Sequence, residues 1–205
     1  LQIVLLLAVT KSERTRQFII EKTAPLFNTK GFEATSLSDL TEATGLTKGA
    51  IYGNFENKEE IAVAAFRYAV EKTRAMIRDR VSTGVSNREK LVLLFEFYAA
   101  YVNNPPVPGG CPILNNAVEA DDFHTSMRRV VVKEMTKTIE YIQGLLEDGV
   151  AQGEFKKSTD ARMMAYVFFC VIEGGIMYSR AERSPEAMEL VVKHCKQLID
   201  QITKS

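Results

Sequence analysis

The sequence predicts an all-α protein of about nine helices, and three observations carry that expectation. Turn formers are scarce: there are 12 Gly and 6 Pro, and four of the prolines crowd into residues 103–112. Alternating Val/Ile/Thr runs of the strand type are few. Helix-start signals recur instead, each a short polar residue followed by an acid three positions on, as at Ser36/Asp39, Asn57/Glu60 and Ser86/Glu89.

The elements follow in order. Ser12 opens a first helix to about Lys30, with Ile19, Leu26 and Phe27 on one face and Gly31 as its stop. Pro25 lies inside it, and its missing N–H should bend the helix. Ser36 caps a brief second helix ending at Gly45, and Thr47 caps a third from Lys48 to about Asn54. Asn57 caps a fourth, which runs to roughly Arg80. Ser86 opens a fifth with Leu91, Leu94, Phe95, Tyr98 and Val102 along one stripe. The segment NNPPVPGGCP, residues 103–112, breaks everything. A short helix over 113–120 is expected next, then a long one from Asp121 and Asp122 to near Gly153. Ser158 or Thr159 starts the next, and Ser184-Pro185-Glu186 starts the last, with proline at the first helical position.

Composition bounds the function. Hydrophobic residues at 46% and charged residues at 25% exclude a disordered tail, a collagen-like fibre and a polytopic membrane protein. Lys+Arg and Asp+Glu are 26 each, so any nucleic-acid contact must use a local patch rather than bulk charge. Three cysteines, Cys111, Cys170 and Cys195, are widely spaced with no CxxC, which fits a reducing cytoplasm. Zinc from Cys111, His124 and His194 would need a coincidence of fold, so no metal or cofactor is expected. His124, near an acidic pair, caps a helix or stays solvated. The uncharged start LQIVLLLAV is too short to span a bilayer and lacks a basic n-region and a cleavage site. It reads as an upstream remnant or a short packed arm, with a membrane anchor as the minor alternative. The expected organisation is an atypical apolar segment over 1–11, a small DNA-binding unit over 12–56, and a larger helical unit over 57–205 for ligand binding and dimerisation.

The informative stretch is TSLSDLTEATGLTKGAIYGNFENKEEI, residues 35–61. Two short helices meet at the turn Gly45-Leu46-Thr47, locked by Leu37, Leu40, Leu46, Ile51 and Phe55. That is helix-turn-helix anatomy, in which the second helix enters the DNA major groove. With Ile51 pointing inward, Phe55 lies about 40° away on the helical wheel. Gly49 and Gly53 then face out, flanked by Ala50 and Tyr52, with Lys48 near the helix start. Two exposed glycines cost a helix about 1 kcal/mol each relative to alanine. They make sense where another backbone comes close; sequence drift is the plain alternative. Lys48, the Tyr52 hydroxyl, Lys58 and helix-start N–H groups can hold phosphate oxygens, with Lys11, Arg14 and Arg16 as a basic approach. Residues 11–60 nevertheless carry seven basic and eight acidic side chains, so the fold must sort the signs onto different faces.

These residues resemble the DNA-binding signature of the TetR family of bacterial transcriptional regulators. The matching positions are Thr35, Gly45, Thr47, Lys48, Gly49, Tyr52, Phe55 and Lys58, with Phe27, Gly31 and Phe32 at the end of the first helix. Asn54 stands where many members carry His, and Pro25 is unusual. The resemblance implies an all-helical homodimer on a palindromic operator of double-stranded DNA, usually as a repressor. It also implies release when a small-molecule effector moves the two reading heads apart. Arg16, Thr35, Ser36, Thr47, Lys48, Gly49, Tyr52, Gly53, Asn54 and Lys58 are the DNA-contact candidates.

An apolar or amphipathic effector is expected. Candidate pocket walls are Phe95, Tyr98, Tyr101, Cys111, Leu114, Asn115, Met135, Phe168 and Phe169, with Glu173 as a polar anchor. Aromatics and methionines at helical spacing also serve as plain core. Met163, Val171, Gly174, Gly175 and Tyr178 share a helix whose glycines permit close approach, so this helix is assigned to the dimer seam. Cys111, after two glycines and before a helix, reads as an exposed thiol that is either inert or a redox or electrophile sensor. Two other functions stay open: a helical ligand-binding scaffold that no longer binds DNA, and, ranked last, an enzyme, since GxSxG, HExxH, P-loop and dinucleotide motifs are missing.

Overall fold

The computed structural model describes residues 10–123 and 125–204, with 121–123 and 125 described by backbone alone. The apolar segment 1–9 and His124, with the readings attached to them, lie outside the described residues. Among the described residues there are nine helices: α1 (Lys11–Lys30), α2 (Leu37–Thr44), α3 (Lys48–Tyr52), α4 (Lys58–Val81), α5 (Asn87–Tyr101), α6 (Pro112–Phe123), α7 (Thr125–Ala151), α8 (Ala161–Glu182) and α9 (Glu186–Ile202). The extended pairing among them is a single bridge, Phe155 to Thr203.

Caps explain most boundaries. Thr10, not Ser12, starts α1. Its hydroxyl accepts from the Glu13 N–H while the Glu13 carboxylate reaches back to the Thr10 N–H. Ser36 and Asp39 make the same reciprocal pair at α2, as expected from sequence. Thr47 caps α3 and Asn57 caps α4. Ser86 caps α5, but the Glu89 carboxylate turns to the Val85 N–H instead of completing the box. Asp160, rather than Ser158 or Thr159, caps α8. Pro25 sits inside a continuous α1. At Gly45 the chain turns left-handed, φ 67°, to close α2. A side chain there would be strained, and that turn sets the angle at which α3 leaves.

Helices α1–α3 form a small head. Ile19, Leu40 and Ile51 are fully buried at its centre, and Phe27 and Phe55 close the edges. Helix α4 packs along α1 and carries the head into the larger body of α5–α9. One apolar core runs through both, with Phe95 and Phe168 meeting edge-on at 4.9 Å in the body. Full burial of such a side chain contributes roughly 1.5–3 kcal/mol, so this pair anchors α5 to α8.

Candidate nucleic-acid interface

The outward face of α3 is as bare as the sequence suggests. Ile51 is fully buried, whereas Thr47, Lys48, Gly49 and Gly53 are exposed and Tyr52 is half-exposed. A β-carbon built on Gly49 would meet nothing within 4 Å. Thr47 accepts from the Ala50 N–H, and Asn54 donates to the Ala50 carbonyl at 2.9 Å. The Lys48 ammonium and the Tyr52 hydroxyl have no hydrogen-bond or ion-pair partner among the described residues. Ser36 is exposed at the start of α2, held by Asp39.

Three candidates are placed differently. Thr35 is fully buried and donates its hydroxyl to the Gly31 carbonyl at 2.5 Å, so it shapes the α1–α2 loop. Arg16 lies over the Phe55 ring at 4.0 Å, donates to the Asn54 carbonyl and pairs with Glu60 at 2.6 Å. Its guanidinium is committed to holding α1 against the end of α3. Lys58 donates to the Phe32 and Thr35 carbonyls at 2.7 and 2.9 Å and stacks over Phe32 at 4.1 Å. Two of its three donors are spent on the loop, because carbonyls left at the end of α1 need partners. Sequence spacing could not separate a lysine that faces DNA from one that braces the head.

The sorting of charge follows from the same contacts. Glu13 caps α1, Asp39 pairs with Lys30 at 2.7 Å, Glu60 with Arg16, and Glu59 with Ser126. The Lys30 ammonium, helped by the Ser36 N–H and hydroxyl, holds the Asp39 carboxyl down at about 2. The Glu56 N–H and then Arg16 lower Glu60. Four acids are thus engaged inside the protein while Lys48 stays free on α3.

A cavity of about 320 Å³ opens in the body between α4, α5, α7 and α8, closed at one end by the start of α6. Tyr98, Tyr101, Cys111 and Glu173 line it. Phe95, Phe168 and Phe169 are buried in the core rather than among its walls, Phe95 against Phe168, and Leu114 and Met135 pack against that core. Asn115 is occupied elsewhere, donating to the Asn28 and Gly109 carbonyls at 2.9 Å. The sequence reading offers no residue of α4, and from α7 it offers Met135 rather than the residues that line the cavity. Val70, Arg74 and Ile77 reach the cavity from one, and Lys137, Tyr141 and Ile142 from the other. The α4 residues sit at i, i+4 and i+7, a stripe legible in sequence; that it faces space rather than core is not. At the rim, Arg74 pairs with Glu134 at 2.8 Å and Glu71 at 3.4 Å, Arg78 with Glu71, and Lys137 with Glu134.

Cys111 is buried, not exposed. Its thiol donates to Glu173 at 3.2 Å. The Ile113 and Leu114 N–H groups at the start of α6 pull its pKa down, but burial and then the Glu173 charge outweigh them and push it well up. Burial raises Glu173 in turn to about 7, with only the Cys111 hydrogen bond opposing.

Of the seam candidates, Met163, Gly174 and Tyr178 lie on the open side of α8, and Val171 is half-buried. Gly175 faces inward: a β-carbon there would strike the Met188 sulfur at 2.8 Å, so this glycine serves α8–α9 packing within the chain. Helix α8 is also long and apolar enough to cross a membrane, by length and composition only.

A bare, glycine-faced helix on a helix-turn-helix head, joined to an all-helical body, defines a DNA-binding regulator class. The tetR family of bacterial regulatory proteins matches residues 19–65, and the tetracyclin repressor-like C-terminal domain matches residues 87–195. A TetR-family transcriptional regulator of known structure from Cytophaga hutchinsonii is 38% identical, with a TM-score of 0.90 over 96% of this chain and 98% of its own. The HTH-type transcriptional repressor ComR of Escherichia coli K12 is 27% identical over 92% of this chain and 90% of its own. The fold is also that of CifR, a TetR-family regulator solved with a 26-bp double-strand operator DNA, at 21% identity and a TM-score of 0.78 over 88% of this chain and 94% of its own. The chain belongs to the TetR family of helix-turn-helix transcriptional regulators, which are non-enzymatic DNA-binding transcription factors.

Proposed function

We propose that the chain is a homodimeric repressor that holds a palindromic operator through α3 and lets go when a small apolar or amphipathic molecule fills the body cavity. The observation that carries the DNA contact is the face of α3, where Lys48 and the Tyr52 hydroxyl stand free beside a glycine that nothing covers. Gly49 admits the sugar–phosphate backbone, while Thr47, Lys48 and Tyr52 bind phosphate oxygens. Ser36 and the half-exposed Asn54 flank them, and Lys58, with two donors on the loop carbonyls, keeps one for a neighbouring phosphate. The working division stays at residues 12–56 for the head and 57–205 for the body, and the regulator acts in the cytoplasm.

Dimerisation is supported by exposed apolar side chains on neighbouring helices. Met163, Tyr166, Val167, Met177 and Tyr178 are exposed on α8, and Leu190 on α9. On α8 they fall at helical spacing with Gly174 among them, a stripe that a second copy would bury. That pairing, rather than a bilayer, accounts for the apolarity of α8, and the reading includes no membrane.

Coupling runs through α6. Its first turn, Pro112 and Ile113, walls the cavity. Two turns on, the Glu119 carboxylate accepts from the Phe32 and Glu33 N–H groups at 2.8 and 2.9 Å. A ligand that shifts α6 therefore moves the loop that Lys58 and Thr35 brace, and with it the head. A tenfold preference for the DNA-incompetent arrangement needs about 1.4 kcal/mol of differential binding. The buried, raised Cys111 thiol gives the sensing alternative little support, since the thiolate is the reactive form.

The test is a binding titration on DNA from upstream of the chain's own gene. Affinity should fall steeply as salt rises, because bound phosphates release counterions. A protein that binds this DNA no better than unrelated DNA favours the scaffold reading instead.

A further inference from the structure

We propose that the cavity ligand is a lipophilic amine, whose ammonium group is received by Glu173 and whose apolar part fills the space beneath Tyr98 and Tyr101. The inference rests on the reading of this cavity as the effector site and names the chemistry of what enters it. Among the described residues Glu173 is the one carboxyl that lines the cavity, set among Leu94, Tyr98, Tyr101 and Ile142, while Arg74, Arg78 and Lys137 line it from α4 and α7. Its Oε1 accepts from the Cys111 thiol, while its Oε2 is sealed from solvent and has no partner among the described residues. A buried acceptor without a donor costs about 1–3 kcal/mol, and a protonated amine supplies the missing donor together with the missing charge. Tyr98 and Tyr101, whose ring centroids are 5.9 Å apart, line the same cavity, and aromatic rings attract a cation that comes over their faces.

The rim does not supply that charge from within. Arg74 and Arg78 on α4 and Lys137 on α7 are each paired with Glu71 or Glu134. Hydrogen bonds first from Arg78 lower Glu71. Burial alone would raise Glu134, but Lys137 and Arg74 outweigh it. The other titratable groups facing Glu173 are Cys111 before α6, Tyr98 and Tyr101 on α5, and Tyr141 on α7. Burial raises all four, so they keep their protons near neutrality. Arg180 lies about two turns further along α8 itself, beside Gly110. Glu173 is therefore the group that changes charge near pH 7.

Calorimetric titration of the full chain with matched octyl and phenylbutyl probes tests this, comparing amine, alcohol and carboxylic acid heads. The amines should bind at least tenfold more tightly than the alcohols at pH 8. They should lose about tenfold between pH 8 and pH 6 as Glu173 takes up its proton, and they should release protons to buffer at pH 6. Glu173→Gln should abolish the preference for amine over alcohol and flatten the pH profile. If that variant does not fold, the pH dependence and the proton release of the wild type decide. Alcohols or acids binding as tightly as amines would overturn the amine assignment and leave the effector cavity standing. No binding by any probe would overturn the cavity reading, and this inference with it.

Discussion

Gly49 can be changed without disturbing anything in the isolated chain, which makes it the sharpest probe of what α3 is for. Its β-carbon position is open, so Gly49→Leu should leave thermal stability unchanged or raise it by up to about 1 kcal/mol. The same change should weaken operator binding at least tenfold in a fluorescence anisotropy titration, because the added side chain occupies the approach. Glu173 gives a second prediction at this scale. Its folded pKa, about 7, lies above the ordinary carboxyl value of 4.5. The folded chain therefore holds a proton that the unfolded chain loses. The resulting stability is complete below about pH 4.5 and is lost as pH rises towards 7, about 3 kcal/mol at most. Glu173→Gln should thus raise the melting temperature more at pH 8 than at pH 5. A larger gain at pH 5 would reverse the sign and contradict the burial of the charge.

Helices were the easier thing to read from sequence. Ser36/Asp39, Thr47 and Asn57 set the starts of α2, α3 and α4 as their spacing suggests. The rule is local, one hydroxyl or amide bonding a backbone N–H three residues on, so the sequence contains everything it needs. Side-chain allegiance across helices is not local. Lys58 and Arg16 read as phosphate binders because they are basic and near the head, yet carbonyls of the α1–α2 loop and Glu60 claim them. Phe95 and Phe168 look like pocket walls because an aromatic at helical spacing suits a wall and a core alike; which aromatic faces the space depends on helix crossings that no spacing encodes. Helix α6 illustrates what that hides. It reaches the head through the Asn115 amide on Asn28 and the Glu119 carboxylate on the α1–α2 loop, and the sequence marks Glu119 in no way. Glu119→Gln should speed amide exchange at Phe32 and Glu33 by about tenfold, the worth of one charge-assisted hydrogen bond, and leave α8 and α9 untouched. Unchanged protection at those two amides would remove Glu119 from the route between cavity and head.

The whole molecule needs two heads to hold a palindrome, which presents two half-sites about one helical turn or a multiple of it apart. The exposed stripe on α8 and α9 is where a second copy would sit. Met177→Glu combined with Tyr178→Glu should convert the dimer to a monomer in sedimentation velocity and cost most of the operator affinity, with each subunit's helical content retained. A protein that stays dimeric with both changes pairs through another face. The central claim, that the outer side of α3 lies against DNA, has a more direct measurement. Wild type, Lys48→Ala and Tyr52→Ala are titrated in parallel by anisotropy against DNA from upstream of the chain's own gene, after their melting temperatures and dimeric state have been matched. Each substitution should lose at least tenfold in affinity while folding and pairing like wild type; three indistinguishable binding curves on a DNA that the wild type holds tightly would rule out α3 as the DNA-facing helix.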